Sequence, residues 1–428
     1  MTGESGAQAA RGWGGFVLIL LALVVEGFDL QAANFAAPSI LEDFGVSRAE
    51  IGPLLSASLF GVLIGAVFIG PQGDRIGRRT ILISCCVGYG IMSLIGAFAT
   101  NLTQLIVVRF FIGIGLGAVL PNALALAGEL APRKYLARAT ALVGIGITFG
   151  GVLAGIAAAQ LLAPYGWQSL FITGGILPLA IAALLWLGLP ESPILNRVRE
   201  HEQGKTGVRA ILAPAQRAQT IAIWIIFALV LMVVYLLAGW IPLLVKDQGY
   251  STTTASWIAT GTHAGGVLGG VIASLLLVRR SWSVVALFAA LGAVTLAIIT
   301  TRDWGIVGLT ILLVLVGLFS VGTQNGLNGS CGATYPASMR ASGLGWALGM
   351  GRVGSILGPL VGSLAILLGL SAPRTFFILP VIPLLIAAAF ALWLARRAGP
   401  AIPEAGPDTD PSDAILTSPS APAMETAR

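Results

Sequence analysis

Charged residues are scarce in this sequence. Asp, Glu, Lys and Arg together make up 10% of the 428 residues, whereas a soluble domain usually carries about 25%. So little charge, with 56% hydrophobic residues, excludes an ordinary water-soluble protein. The apolar residues form long blocks, and about 20 apolar residues suffice for a helix to cross a hydrocarbon core of ~30 Å. The composition therefore predicts an integral membrane protein.

Cysteine, histidine and lysine are also rare. The three cysteines fall in or beside apolar blocks and indicate no disulfide framework. The two histidines, His201 and His263, are too far apart in sequence to suggest a metal site. No lysine stands in the GxxxxGK[ST] motif that cradles phosphates, which argues against ATP-driven transport by this chain. Without a nucleophile–base pattern either, we expect no enzyme, no metal, no cofactor and no nucleic-acid partner.

Twelve apolar blocks are present, and a long polar segment follows the sixth. The predicted spans are 14–36, 50–71, 79–100, 102–126, 138–162, 168–189, 219–245, 253–278, 282–300, 304–328, 339–367 and 372–396. The pattern predicts an all-α membrane protein with two six-helix halves, 1–189 and 219–397. A cytoplasmic linker, 190–218, joins the halves. The last segment, 398–428, is rich in Pro, Ser and acids without periodicity, which predicts a disordered cytoplasmic tail.

Basic residues indicate the orientation of the spans. With both termini placed inside, 18 of the 24 Lys and Arg residues fall in cytoplasmic segments and only four in external loops. Lys and Arg are enriched on the cytoplasmic side of membrane proteins. We therefore expect a multi-pass protein of the cell (inner) membrane with both termini in the cytoplasm.

Glycines four residues apart recur at every third span. Small residues at this spacing let helix backbones approach closely, and their recurrence suggests equivalent roles for spans 2, 5, 8 and 11, as in transporters built from repeats. The pairs and triplets are Gly61/Gly65, Gly146/Gly150, Gly151/Gly155, Gly261/Gly265/Gly269 and Gly354/Gly358/Gly362.

Two acids interrupt the first span, in the stretch VVEGFDLQAA. Glu26 and Asp29 are three residues apart and share a helix face, and ionisable groups inside a membrane are functional candidates. A rise of ~1.5 Å per residue places Asp29 at the depth of Arg109 and Glu26 at the depth of Arg352. We predict that Glu26, Asp29 and Arg109 couple transport to protons. The alternative is that each acid sits in a purely structural ion pair.

Arg352, in GMGRVGSILGP, is predicted to bind a substrate carboxylate. A planar guanidinium can hold a carboxylate through two hydrogen bonds, and the neighbouring glycines leave room for a ligand. The alternative for Arg352 is that it serves as a structural partner of Glu26. For the substrate-binding candidates named next, the alternative is a role in helix packing. These further substrate-binding candidates are Gln31, Asn122, Tyr235, Trp240, His263 and Asn325, and Asn34, Gln324 and Asn328 are polar groups that could line a wet cavity.

The short loop GPQGDRIGRRT, residues 70–80, places one acid among three arginines. Asp74, Arg75 and Arg78 are candidates for a cytoplasmic latch between helices that separate during transport, and Glu129 could join that network. The alternative is simple anchoring of basic residues at the inner surface. The corresponding segment after span 8 keeps Arg279 and Arg280 but has no acid.

Several motifs resemble those of the major facilitator superfamily. GPQGDRIGRR is similar to the signature between its second and third spans, and RFFIGIG, from Arg109, to its fourth-span signature. EGFDLQAA, LPNALAL and YPASMRASGLGWALGMGRVGSILGP resemble the aromatic acid/proton symporter family within it. The resemblance implies twelve helices and alternating access. It also implies roles for Glu26, Asp29, Asp74, Arg109, Glu129, Arg340 and Arg352, with Arg340 at the cytoplasmic gate.

The sequence thus predicts a secondary transporter. The resemblance implies import of an aromatic carboxylate, similar to a hydroxyphenylpropionate or hydroxybenzoate, together with protons. The expected partners are this small acid and the lipid bilayer, the coupling ion is the proton, and the chain is expected to act as a monomer. The alternatives are a proton-coupled carrier of another small organic anion, an exporter, and a membrane sensor that binds the acid without transporting it.

Overall fold

The chain folds as a bundle of long helices in a computed structural model. The structure describes residues 2–130, 136–189, 211–214, 216–276, 281–336, 339–370, 372 and 376–397. Every regular element within these ranges is helical. The predicted tail and most of the predicted linker lie outside the described residues.

Twelve main helices follow one another along the part of the chain that the structure describes. The N-terminal half contains α1 (Thr2–Phe44), α2 (Ile51–Ile64), α3 (Arg78–Gly96), α4 (Leu102–Leu130), α5 (Leu136–Tyr165) and α6 (Gln168–Gly188). The C-terminal half contains α7 (Arg217–Lys246), α8 (Thr252–Leu276), α9 (Ser281–Thr301), α10 (Gly305–Thr334), α11 (Arg340–Leu367) and α12 (Val381–Arg397). A π-helical turn, Gly65–Ile69, continues α2 toward the loop before α3.

The expectation of twelve spans differs slightly from the structure. Among the described residues, eleven helices are long and apolar enough to cross a membrane. The twelfth, α12, has only 17 residues. It starts at Val381, because residues 377–380 form a turn in which the Leu379 amide donates to the Phe376 carbonyl and the Val381 amide to the Ile378 carbonyl. The predicted start at residue 372 is therefore too early.

The predicted small-residue contacts are confirmed. Helix α2 packs on α4 and α5 on α1, and in the second half α8 packs on α10 and α11 on α7. Among the predicted glycines, those at which an added Cβ would overlap the partner's backbone are Gly61, Gly65, Gly150, Gly265, Gly269, Gly354 and Gly358. In each half the second helix packs on the fourth and the fifth packs on the first. These four helices therefore play equivalent structural roles, as repeats require.

The two halves pack together at one end of the bundle and separate at the other. The end that carries Arg75, Arg78, Arg340 and Arg396 is here called the arginine-rich end. Near it, one apolar cluster contains only N-terminal residues, such as Phe16 and Leu189, and another contains only C-terminal residues. At the opposite end a single large cluster combines side chains of both halves. Among the described residues, the halves therefore share a core only at the opposite end.

Hydrogen bonds reinforce that shared core. The Gly52 amide of α2 donates to Ser363 Oγ of α11 at 3.0 Å. One turn further along α2, Ser56 Oγ donates to the Ile356 carbonyl at 2.7 Å. Helices α2 and α11 are thereby held together across the boundary between the halves.

Two ion pairs lie at the same end. Arg48, just before α2, pairs with Asp247 at 2.7 Å, and Lys246 at the end of α7 pairs with Glu42 at 2.5 Å. The adjacent residues Lys246 and Asp247 of the C-terminal half thus pair with an acid and a base of the N-terminal half. We call Glu42, Arg48, Lys246 and Asp247 the clasp.

Candidate functional site

The acid and the arginine buried deepest in the N-terminal half form an ion pair. Arg109 Nη1 lies 3.8 Å from Asp29 Oδ1, and both side chains are 1% exposed. Arg109 also donates to two main-chain carbonyls of α1, those of Asp29 at 3.1 Å and Leu30 at 3.5 Å. The predicted pairing of α1 with α4 is confirmed, whereas the role of this pair in proton coupling stays a prediction.

Small residues leave space for the Asp29 carboxylate. Ser93 Oγ of α3 lies 3.4 Å from Asp29 Oδ1. An added Cβ at Gly174 of α6 would lie 2.9 Å from the same oxygen. The carboxylate therefore faces the interior of the N-terminal half, between α3, α4 and α6. Its second oxygen, Oδ2, is buried and has no hydrogen-bond partner among the described residues.

Glu26 is one turn away and is also buried, with 5% exposure. Its carboxylate makes no ion pair or hydrogen bond with the residues that the structure describes, and Oε2 is fully enclosed. The two acids of α1 thus occupy different surroundings, since Asp29 pairs with Arg109 and Glu26 has no such ion pair among the described residues.

A cavity of about 100 Å³ lies between the halves. Helices α1 and α5 line it on one side, and α7, α8 and α10 line it on the other. Its apolar wall contains Leu30, Ile147, Val234, Leu237, Ala238, Ile241, Ala259, Val316 and Val321. Its polar lining consists of Gln31, Thr148, Tyr235, Thr262, His263, Ser320 and Gln324. Such a largely apolar cavity with a few polar groups suits a small organic ligand.

Three of the seven predicted substrate-binding residues line this cavity: Gln31, Tyr235 and His263. The polar residue Gln324, which the sequence also singles out, lines it as well. Thr148, Thr262 and Ser320 were not among the sequence candidates. Small hydroxyl residues are common in helices, where they usually bond to their own backbone, so no sequence signal separates these three from the others.

The remaining predicted substrate-binding residues do not line the cavity. Trp240 is fully buried, and its indole N–H donates to the Pro359 carbonyl at 3.2 Å. Its ring packs on that of Phe376, with the ring centroids 5.1 Å apart. Asn122 donates to the Gly70 and Ala118 carbonyls, and Asn325 to the Val321 carbonyl. Arg352 is partly exposed in the middle of α11, outside the cavity wall.

The candidate latch at the arginine-rich end forms a network within the N-terminal half. Arg78 pairs with Asp74 at 2.9 Å and also with Glu129 of α4. The turn before α3 depends on Gly77, whose φ of +106° is readily adopted only by glycine. Arg75 and Arg340 are exposed at the same end. The structure thus joins Asp74, Arg78 and Glu129, and their role as a gate stays a prediction.

A comparison with known families decides the identity of the fold. Residues 19–359 match the family model described as the Major Facilitator Superfamily. The chain belongs to the Major Facilitator Superfamily. Its sequence motifs and its two-half bundle agree with this result, and the chain is accordingly a multi-pass membrane transporter and not an enzyme.

Curated members of the superfamily are similar over nearly the whole length. The chain is 34% identical to a gallate transporter of Pseudomonas putida over 405 residues, which cover 87% of this chain and 89% of the relative. It is 34% identical to a 4-hydroxybenzoate transporter of Pseudomonas aeruginosa, with 84% and 86% covered. It is 33% identical to a 3-(3-hydroxy-phenyl)propionate transporter of Escherichia coli, with 82% and 86% covered.

Solved structures confirm the major facilitator fold. A D-xylose–proton symporter superposes with a TM-score of 0.71 at 18% identity, covering 89% of this chain and 97% of that one. A bacterial homologue of the lysosomal transporter Spinster superposes with a TM-score of 0.70 at 20% identity, covering 90% and 97%. At these identities the likeness concerns the fold alone.

Proposed function

We propose that this transporter imports an aromatic carboxylate together with protons by alternating access. The observation that carries the proposal is the pair of carboxylates, Glu26 and Asp29, buried in α1 one turn from cavity-lining Gln31. Burying an acid in a membrane helix costs free energy, so its presence there indicates a function. The named substrates of the relatives, gallate, 4-hydroxybenzoate and 3-(3-hydroxy-phenyl)propionate, support the choice of an aromatic acid.

The arginine-rich end is proposed to face the cytoplasm of a cell with an inner membrane. The bias of Lys and Arg toward this end supports the orientation, and it places both termini inside. The shared core and the clasp then close the external side. The described conformation is, on this proposal, the one that opens to the cytoplasm.

Protonation is proposed to act on the cavity through α1. Arg109 holds the Asp29 carboxylate and also the carbonyls of Asp29 and Leu30, and Leu30 lines the cavity. Neutralising Asp29 removes the attraction that keeps the guanidinium in place, which frees this part of α1 to move. Proton binding and ligand binding therefore need not share atoms.

Glu26 and Arg352 connect the two halves electrostatically. Because Glu26 belongs to α1 and Arg352 to α11, the charge of Glu26 affects how the halves attract each other. Arg352 lies outside the described cavity, so the substrate carboxylate would reach it as the halves move. There it would compete with Glu26 for that arginine, and this competition favours protonation of Glu26 when the anion is present. No cofactor is required, since the proton supplies the driving force. One chain contains the whole cavity, which supports a functional monomer.

Uptake into proteoliposomes tests the proposal. One proton moving with one monoanion carries no net charge, so a pH gradient alone should drive accumulation of labelled 4-hydroxybenzoate. Each further proton would add about 2.3 kcal/mol per 100 mV of membrane potential. We expect uptake with an inward proton gradient, an effect of voltage only if more than one proton moves, and collapse on adding an uncoupler. Accumulation that ignores the uncoupler would contradict the proposal.

A further inference from the structure

Two hydroxyl groups in the cavity wall lack hydrogen-bond partners among the described residues. They are Thr262 Oγ1 of α8 and Ser320 Oγ of α10, and Ser320 is 3% exposed. Both residues line the cavity. Both oxygens are enclosed in the described conformation. Buried polar groups in proteins are nearly always paired, so a small rotation of either side chain toward the cavity would give it a partner on a bound ligand.

Neighbouring hydroxyl residues on the same helices behave differently. Thr260 Oγ1 donates to the Ser256 carbonyl at 2.7 Å on α8, and Thr323 Oγ1 donates to the Phe319 carbonyl at 2.7 Å on α10. This bond to the carbonyl four residues earlier is the usual arrangement for Ser and Thr in a helix. Thr262 and Ser320 do not make it, although they lie two and three residues away.

His263 completes the polar wall. Its side chain lines the cavity. An added Cβ at Gly151 of α5 would lie 2.9 Å from His263 Nδ1, so the missing side chain on α5 leaves room for the imidazole. The Phe35 ring, 5.7 Å away, packs beside it. A neutral imidazole offers one donor and one acceptor.

The chemistry of this wall suits a hydroxyl group better than a carboxylate. The cavity lining contains no Arg, Lys, Asp or Glu, so it cannot neutralise a full charge. A hydroxyl group both donates and accepts, which matches two protein hydroxyls and an imidazole. The apolar residues around them can cover an aromatic ring.

We propose that Thr262, His263 and Ser320 form a subsite for the ring hydroxyl groups of a phenolic acid, through which the carrier selects hydroxylated over unhydroxylated aromatic acids. The inference rests on the proposed function and specifies its substrate class. A site built to bond a hydroxyl group discriminates strongly against the analogue that lacks it, because its polar groups are then left unpaired.

Competition measurements on the purified full chain in proteoliposomes test the subsite. Benzoate, 4-hydroxybenzoate and 3,4,5-trihydroxybenzoate compete with a labelled aromatic acid, and the variants are Ser320→Ala and His263→Leu. We expect each variant to weaken competition by the hydroxylated acids about tenfold, as for loss of one hydrogen bond, and to leave benzoate nearly unchanged. The control Thr323→Val removes a hydroxyl that is already bonded on α10 and should change none of the three.

Two further variants keep the test decisive if His263→Leu does not reach the membrane folded. His263→Gln retains hydrogen-bonding groups and should preserve the preference. Gly151→Ala displaces the imidazole and should reduce it. Equal losses for all three acids, or no change in any variant, would overturn the subsite while leaving aromatic acid transport intact. Failure of the parent chain to transport any aromatic acid would overturn both the proposed function and the subsite.

Discussion

Arg109 of α4 binds both the side chain and the main chain of α1 at Asp29. Its guanidinium faces the carboxylate at 3.8 Å and donates to the Asp29 carbonyl at 3.1 Å. A simple ion pair would need only the first contact. The additional bonds to the carbonyls of Asp29 and Leu30 link the charge of one buried acid to the position of the helix segment that borders the cavity.

Removal of Arg109 should therefore destabilise the protein as well as stop transport. Arg109→Gln leaves Asp29 buried without its counter-charge, and breaking one side of a buried ion pair costs about 3–5 kcal/mol. We expect a clearly lower melting temperature of the purified protein and no accumulation. The double variant Arg109→Gln/Asp29→Asn should regain much of the stability without regaining accumulation. Equal stability of the single and double variants would argue against a coupled pair.

The clasp should control opening of the end that it closes. Arg48→Glu places an acid opposite Asp247, and loss of such a partly exposed pair is worth about 1 kcal/mol, or roughly fivefold in population. We expect a cysteine introduced at cavity-lining Gln31 to react faster with a membrane-impermeant thiol reagent added from outside. The charge-reversed double variant Arg48→Glu/Asp247→Arg should slow the reaction again.

Arg302→Glu is the matched control for the clasp, since it makes the same charge change at the same end, where Arg302 stacks on Trp304 at 3.9 Å. Its labelling rate should equal that of the parent.

Acid should also loosen the clasp, because burial raises the pKa of Asp247 against the opposing effects of Arg48 and Lys246. Asp247 therefore loses its charge at a higher pH than an exposed aspartate would. Because the thiolate is the reacting form of a cysteine, each rate is divided by that of an exposed reference cysteine at the same pH. A normalised labelling rate that does not rise as pH falls would contradict this role.

Close packing of α11 on α7 depends on Gly354. A Cβ there would overlap the Ala228 backbone, whereas nothing lies within 4 Å of a Cβ at Gly349 on the same helix. We expect Gly354→Ala to lower the yield and melting temperature of the membrane protein, because overpacking typically costs about 1–3 kcal/mol. Gly349→Ala should match the parent. Equal melting temperatures for the two variants would show that α11 adjusts freely.

The network around Arg78 should affect the rate of transport more than ligand affinity. Arg78→Ala leaves Asp74 and the largely buried Glu129 without their shared cation, but it changes no residue of the cavity. We expect the maximal uptake rate to fall by about tenfold, equivalent to 1.4 kcal/mol, with KM nearly unchanged. Arg75→Ala, which alters an exposed neighbour, is the control. A rise in KM with an unchanged maximal rate would refute the gating role.

The sequence predicts the helical fold and the buried charge pair for clear physical reasons. Long apolar blocks have no other stable form in a bilayer, and the matched depths of Asp29 and Arg109 leave few alternatives for pairing. The glycine spacing also identifies which helices approach closely. The end of the bundle that closes cannot be derived in the same way, because one sequence must support both conformations of a carrier.

The cavity wall is the part that sequence reasoning misses most. Trp240 looks like a ligand contact in sequence, but its indole bonds to the Pro359 carbonyl within the shared core. Ser320 looks like an ordinary helix serine and lines the cavity. The rotation of each helix about its axis determines which of its residues face the cavity. These membrane helices are apolar on nearly all sides, so the sequence has no strong periodicity that would predict this rotation.

The central claim is that the two acids of α1 carry the coupling proton. The most direct measurement compares the parent with Glu26→Gln/Asp29→Asn in proteoliposomes, by both gradient-driven uptake and exchange of labelled for unlabelled 4-hydroxybenzoate without a gradient. The account predicts that the double amide variant loses accumulation against a concentration gradient but still exchanges substrate. Accumulation by the double variant to the level of the parent would contradict it.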